Sequence, residues 1–185
     1  MKKKLLLIIP IGILIVTIAT FLTFDQFIKT NTLEEGTSVF VDRGSVTDNS
    51  PAPDFALPDI LDNQIKLSEF YGRVVIINFW TTWCIPCKQE MPVLDEISRI
   101  NYDNIVVIGV NVGESVEKVK SFVNEVGVAY PILIDAKGLV GITYHVNGYP
   151  TTYFVDAAGI IRGKYVGLMT PRLIEQYLLP LGINQ

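Results

Sequence analysis

The residues best suited to chemistry are Cys84 and Cys87, which are the only cysteines in the 185-residue chain. Two cysteines at this spacing can form a disulfide and open it again, so the pair predicts thiol–disulfide exchange. A purely structural bridge would close too small a loop to constrain the unfolded chain much. A zinc site would need more ligands, and the chain offers one histidine, His145, which we expect to be a surface residue without a role. Redox catalysis is therefore the favoured interpretation.

The position of the pair strengthens this interpretation. The apolar run Val74–Trp80 is typical of a central strand covered on both faces. From Cys84 to about Ile100 apolar residues recur at helical spacing. The cysteines thus lie where a buried strand becomes a helix. The free N–H groups and the dipole of a helix N-terminus favour negative charge, so the thiolate of Cys84 should be stabilised there.

Further strands and helices alternate along the rest of the chain. Strands are predicted near Phe55 and Ile65 and over residues 105–112, 132–134, 151–155 and 160–165, with a hairpin turn at 156–159. Helices are predicted over 115–126, with Ser115 as N-cap, over 139–144, and from Thr170, with Pro171 in the first turn. This pattern predicts an α/β domain over residues 51–185, with a mixed central sheet flanked by helices.

The N-terminal segment predicts attachment to a membrane. Three lysines at residues 2–4 precede an uncharged run over residues 5–24, long enough to cross a bilayer core as one helix. A cleaved secretory signal would have a shorter apolar run and an Ala-x-Ala-like end, so residues 1–25 are interpreted as an uncleaved anchor. The lysines predict that the N-terminus stays in the cytoplasm and that everything after Asp25 lies outside it. Residues 26–50 show no sustained period and are interpreted as a tether, with residues 39–41 as a possible short edge strand.

Composition and charge exclude several other functions. Without residues 2–4 the chain has 12 basic and 19 acidic side chains, and hence a net charge of −7. Such an acidic domain is a poor match for nucleic acid, because phosphate binding needs clustered Lys and Arg. One histidine and two cysteines also exclude a His-rich metal site and a disulfide-dense scaffold.

The domain resembles the membrane-anchored ResA/TlpA group of extracytoplasmic thiol-disulfide oxidoreductases, which have the thioredoxin fold. The residues that carry the resemblance are spread over the exported domain: residues 52–55 (APDF), 78–92 (NFWTTWCIPCKQEMP), 111–115 (NVGES) and 148–152 (GYPTT). The resemblance implies catalysis by Cys84, Cys87 and Glu90, with no cofactor beyond the redox-active Cys84–Cys87 disulfide and no metal. It also implies a thioredoxin fold behind an N-terminal transmembrane helix.

Several roles are implied by the same resemblance. Thioredoxin has an aspartate on the central strand where this chain has Asn78, and Glu90 matches the glutamate that ResA-like proteins carry after the second cysteine. Glu90 would then accept a proton from a buried thiol; otherwise it is a solvated surface residue. Glu114 matches a glutamate lining the substrate cavity, or it is a charge at the start of a helix.

Further substrate-binding positions are Trp83, Pro86, Tyr149 and Pro150. Pro150 matches the cis-proline beside the active-site disulfide, although an ordinary trans proline opening a strand would have the same sequence. Trp83 would shield the sulfurs and shape the docking surface, with core packing as its alternative role.

The resemblance also implies partners. It suggests a reductase of disulfides in exported proteins, such as apocytochrome c during cytochrome c maturation, supplied with electrons by a CcdA-like membrane protein. The bilayer would be contacted through residues 5–24, and no nucleic acid is expected.

Two other classes of function remain open at this point. Residues 52–55 also occur in peroxiredoxins, and Thr81 stands three residues before Cys84 as in their Pro-x-x-x-Thr-x-x-Cys pattern; however, Ile77 replaces the proline. A peroxiredoxin-like thiol peroxidase would use Cys84 alone. A non-catalytic tethered binding module would need neither cysteine.

Overall fold

The computed structural model describes residues 40–41, 48–100 and 103–183. Within these residues no helix is both long and apolar enough to cross a membrane. The predicted membrane-spanning run, residues 5–24, and most of the predicted tether, residues 26–50, lie outside the described residues.

The described residues form eight strands and four α-helices. The strands are β1 (Phe40–Val41), β2 (Phe55–Pro58), β3 (Gln64–Lys66), β4 (Val74–Trp80), β5 (Ile105–Val112), β6 (Ile132–Asp135), β7 (Thr151–Val155) and β8 (Ile161–Val166). The helices are α1 (Ile85–Ile100), α2 (Val116–Val126), α3 (Leu139–Thr143) and α4 (Pro171–Leu178). Short 3-10 turns at Leu67–Phe70 and Leu179–Leu181 complete the set.

Five of the described strands form the central sheet, in the order β6-β5-β4-β7-β8. Strand β4 pairs parallel with β5 and antiparallel with β7. The sheet is therefore mixed, as predicted, because helical crossovers join the parallel strands and a hairpin adds the antiparallel ones. A second, antiparallel sheet has the order β1-β2-β3. Its edge strand β1 coincides with the short edge strand suggested by the sequence for residues 39–41.

The sheet separates two apolar cores. All seven residues of β4 are buried, which explains its uninterrupted apolar sequence. Ile76 packs into a core shared with Met91 and Leu94 of α1. Its neighbour Ile77 faces the other core, beneath the second sheet and α3. The active-site helix is thus packed against the centre of the sheet.

The helix starts agree with the sequence to within a residue, but their caps differ. Thr170 accepts a hydrogen bond from the backbone N–H of Leu173 at 3.3 Å, with Pro171 in the first turn, as predicted. Ser115 occupies the N-cap of α2, yet its side chain makes no cap hydrogen bond. The side chain of the preceding residue, Glu114, instead accepts hydrogen bonds from Thr82, Asn111 and Lys118.

Candidate active site

The two cysteines form a disulfide at the start of α1, with an S–S distance of 2.00 Å. A turn over residues 81–83 leads from β4 into the helix, and the backbone N–H of Cys84 donates to the Thr81 carbonyl at 3.3 Å. The backbone N–H of Cys87 donates to Cys84 Sγ at 3.2 Å. Cys84 keeps 4% exposure, whereas Cys87 has none. Cys84 is therefore suited to attack a substrate, and Cys87 to resolve the intermediate from below.

Large apolar side chains surround the disulfide. Trp83 is 66% exposed and Ile85 is 74% exposed, and Pro86 between the cysteines is also exposed. The ring of Trp83 meets that of Tyr149 edge to face, with 5.7 Å between centroids. The structure thus brings together two predicted substrate-binding residues, one of which, Trp83, directly precedes Cys84.

The peptide bond between Tyr149 and Pro150 is cis, as the resemblance implies. Pro150 is buried, and its carbonyl accepts the backbone N–H of Gly167 at 2.8 Å. Thr151 Oγ1 donates to the Gly148 carbonyl at 2.7 Å. The first bond ties Pro150 to the residue directly after β8, and the second closes the turn over residues 148–151.

Glu90 lies one turn beyond Cys87 and is buried, with 1% exposure. It is not a solvated surface residue, which was the alternative left open by the sequence. Its Oε1 accepts from Asn78 Nδ2 at 2.6 Å, and its Oε2 accepts from the backbone N–H of Met169 at 3.0 Å. Burial raises the pKa of Glu90 to about 7, although these two hydrogen bonds oppose the rise. Glu90 can therefore gain or lose a proton near neutral pH.

Asn78 holds this carboxylate from the central strand. Its Nδ2 also donates to Thr152 Oγ1 on β7 at 3.0 Å, while its buried Oδ1 has no partner among the described residues. The sequence singled out Asn78 only as the residue that stands where thioredoxin has an aspartate, and it gave no sign of Met169 as a donor. A backbone donor 79 positions away from Glu90 leaves no trace in residue type or spacing.

Glu114 follows β5 and reaches the turn before Cys84. Its Oε2 accepts from the backbone N–H of Thr82 at 2.7 Å and from Asn111 Nδ2 at 2.8 Å. Its Oε1 accepts from Thr82 Oγ1 at 2.7 Å and from Lys118 Nζ at 2.6 Å. Partial burial acts to raise the pKa of Glu114, but the hydrogen bonds outweigh it and lower that pKa to about 2. The side chain is ionised at neutral pH and 7% exposed.

His145 is exposed, and it lies in the loop that leads to Tyr149. Its carbonyl accepts from Lys164 Nζ at 3.0 Å. Among the described residues, no three His, Cys, Asp or Glu side chains are grouped so that they could hold a metal ion.

A dithiol pair at a helix N-terminus on a thioredoxin-type sheet defines a thiol-disulfide oxidoreductase. Residues 49–164 match the AhpC/TSA family, and the chain belongs to this family of the thioredoxin superfamily.

Individual relatives agree with this assignment. The chain is 36% identical over 179 residues to the thiol-disulfide oxidoreductase ResA of Geobacillus kaustophilus, covering 96% of this chain and 97% of that one. It is 34% identical to ResA of Bacillus subtilis, over 96% and 94% of the two chains. The structure of the exposed lipoprotein thioredoxin of Streptococcus pneumoniae superposes with a TM-score of 0.62 at 32% identity, covering 69% of this chain and 99% of that one. The protein is a thiol-disulfide oxidoreductase that acts through its Cys-x-x-Cys pair.

Proposed function

We propose that this oxidoreductase is a single-pass membrane protein, anchored by residues 5–24, that reduces disulfides of exported proteins outside the cytoplasm. The apolar run behind three lysines supports the anchor and its orientation. The pneumococcal relative is itself described as an exposed lipoprotein, which is consistent with work at the cell surface.

The geometry supports a two-step exchange. The Cys84 thiolate attacks one sulfur of the substrate disulfide, forming a mixed disulfide and releasing the other substrate sulfur as a thiolate, which takes a proton from water. Cys87 then gives its proton to Glu90 and attacks Cys84 Sγ, so the Cys84–Cys87 disulfide forms and the second substrate sulfur leaves. The substrate gains the two electrons that the dithiol loses. Glu90 suits this step because it lies on the same helical face, three residues beyond Cys87, and has a pKa of about 7.

The buried carboxyl group of Glu90 carries the proposed direction of exchange. An ionised carboxylate one turn from Cys87 disfavours a second negative charge on the sulfurs. A dithiol whose thiolate form is not strongly stabilised gives up its electrons more readily, whereas a strong oxidant such as DsbA has a stabilised reduced form. Glu90 therefore favours a reductase.

The partners follow from this direction. A reductase in an oxidising compartment must be recharged, and a membrane dithiol protein of the CcdA type is the proposed donor. Apocytochrome c is a proposed substrate, because its Cys-x-x-Cys-His segment must be reduced before haem attachment.

The reduction potential of the full chain in detergent tests this proposal. It is measured by equilibration with dithiothreitol or glutathione buffers and quantified by alkylation of the free thiols. We expect a value near that of thioredoxin, about −270 mV, and a shift toward more oxidising values in Glu90→Gln. A value near that of DsbA, about −120 mV, would refute the reductase assignment.

Substitution of the cysteines separates the competing functions. A thiol peroxidase would complete its first turnover of hydrogen peroxide in Cys87→Ser, whereas disulfide reduction needs both sulfurs. A tethered binding module would retain its activity in the Cys84→Ser, Cys87→Ser double variant. We expect that double variant to be inactive toward an oxidised Cys-x-x-Cys-His peptide.

A further inference from the structure

Glu114 makes four hydrogen bonds within the described chain, and two of them go to a single residue of the active-site turn. Thr82 donates to it through both its backbone N–H and its hydroxyl group, at 2.7 Å each. Thr82 stands two residues before Cys84. A carboxylate 32 positions away in the sequence therefore holds, through two hydrogen bonds, the short turn that leads into Cys84.

We propose that Glu114 is a positioning residue of the exchange reaction: it fixes the turn over residues 81–83 and so sets Trp83 and Cys84 for attack, without contacting the substrate. The proposal extends the exchange activity and holds for either direction of electron flow. It would remain valid if the protein proved to be an oxidant.

The chemistry of the four donors explains why a carboxylate occupies this position. Each carboxylate oxygen accepts one hydrogen bond from Thr82 and one from elsewhere. Oε2 accepts the second bond from Asn111 on β5, and Oε1 accepts it from Lys118 in the first turn of α2. Asn111 is paired with Trp80, the last residue of β4, and the carboxylate links this end of β5 to the turn between β4 and α1. Hydrogen bonds to an ionised acceptor are roughly twice as strong as neutral ones. Because its pKa is low, the Glu114 carboxylate stays ionised at neutral pH and its hydrogen bonds stay charge-assisted.

Two contacts connect the position of Thr82 to the position of the reacting sulfur on Cys84. The Thr81 carbonyl accepts the backbone N–H of Cys84, which closes the turn around Thr82. Trp83, the next residue, places its ring against Tyr149 beside the cis peptide bond. Fixing Thr82 therefore fixes the direction in which Trp83 and Cys84 leave the turn.

A direct role in substrate binding fits the structure less well. The Glu114 side chain is 7% exposed, and both of its oxygens already have two donors. A substrate that used this carboxylate would have to break one of these bonds.

Three substitutions in the full chain test the proposal: Glu114→Ala, Glu114→Gln and Thr82→Val. Each is assayed with two short disulfide peptides that differ only in having Arg or Gln beside the cysteine, and with DTNB, a small aromatic disulfide that needs no docking. We expect Glu114→Ala to lower kcat/KM for both peptides about tenfold, because misplaced reacting groups lose rate steeply, and to slow the DTNB reaction as well, since DTNB is also attacked by Cys84.

The conservative variants give the discriminating result. Glu114→Gln should recover most of the loss, because its amide oxygen can still accept the Thr82 N–H. Thr82→Val, which removes one of the two Thr82 donors, should fall between wild type and Glu114→Ala. The Thr82→Val, Glu114→Ala double variant should be no slower than Glu114→Ala alone, because the two residues act through the same contact.

Other outcomes overturn the proposal. A loss confined to the Arg peptide, equal in Gln and Ala variants, would mean that Glu114 attracts the substrate by its charge. Wild-type rates in Glu114→Ala would show that the turn needs no support from Glu114, and additive losses in the double variant would show that Glu114 does not act through Thr82. If Glu114→Ala fails to fold, the Glu114→Gln and Thr82→Val rates decide, since wild-type behaviour of Thr82→Val also contradicts the proposal.

Discussion

Replacing Glu90 by Gln should stabilise the oxidised protein in a strongly pH-dependent way. The folded protein raises the pKa of Glu90 from 4.5 to about 7, because the carboxyl group is buried. Between those two values the folded state holds a proton that the unfolded state releases. The stability of the wild-type protein therefore falls as the pH rises through this window.

The size of the effect follows from the pKa. A raised pKa of about 7 in place of 4.5 corresponds to a loss of about 3 kcal/mol, which is complete once the pH exceeds the folded value. Gln is uncharged and similar in shape. Its amide oxygen can accept the Met169 N–H, and its amide nitrogen can donate to Asn78 Oδ1, which is unpartnered in the described chain, once that amide turns over. Glu90→Gln should therefore escape the loss.

Urea unfolding of the oxidised proteins, followed by circular dichroism, measures the difference. We expect Glu90→Gln to gain about 3 kcal/mol over wild type on going from about pH 4.5 to about pH 8. Glu96→Gln, on the exposed face of the same helix, serves as the control and should show no such gain. A pH-independent difference between Glu90→Gln and wild type, or a loss at high pH, would refute the reasoning.

Three further outcomes are expected. Cys87→Ser should accumulate a mixed disulfide with an oxidised peptide, detectable by mass spectrometry, whereas Cys84→Ser should form none; equal trapping by both would contradict the assigned order of attack. Gly109→Ala should lower the free energy of unfolding in urea by about 1–3 kcal/mol, because the new Cβ would lie 2.7 Å from Ile132 Cδ1 and 3.0 Å from the Tyr130 ring; wild-type stability would show that the site can relax. Thr170→Ala should lower the free energy of unfolding by about 1 kcal/mol, since a helix cap is lost; an unchanged thermal midpoint would mean that this cap does not stabilise the protein.

Local patterns were enough to predict the elements that carry the chemistry. The apolar run of β4 and the Cys84–Cys87 spacing depend only on neighbouring residues, so strand, helix and disulfide agree with the sequence. The mixed sheet also followed, because the order of strands and helices restricts how they can pair.

Contacts between distant segments could not be predicted in this way. The burial of Glu90 depends on Asn78 from the strand and Met169 from the loop before α4, and neither residue type indicates a carboxylate partner. Ser115 has the residue type of an N-cap and stands at the N-cap of α2, yet its side chain makes no cap hydrogen bond. The side chain of the neighbouring Glu114 accepts a hydrogen bond from Thr82 in the active-site turn instead of capping the helix. Such choices are made by tertiary packing, which overrides local preference.

The two tryptophans of the chain stand three residues apart in opposite surroundings. Trp80 has no exposed surface, whereas Trp83 is 66% exposed and immediately precedes Cys84. A water-soluble quencher such as iodide can therefore reach one indole and not the other. Because a nearby disulfide quenches indole emission, the iodide-accessible emission of Trp83 should increase when the disulfide is reduced. The intrinsic fluorescence of the protein therefore reports the redox state of Cys84 and Cys87.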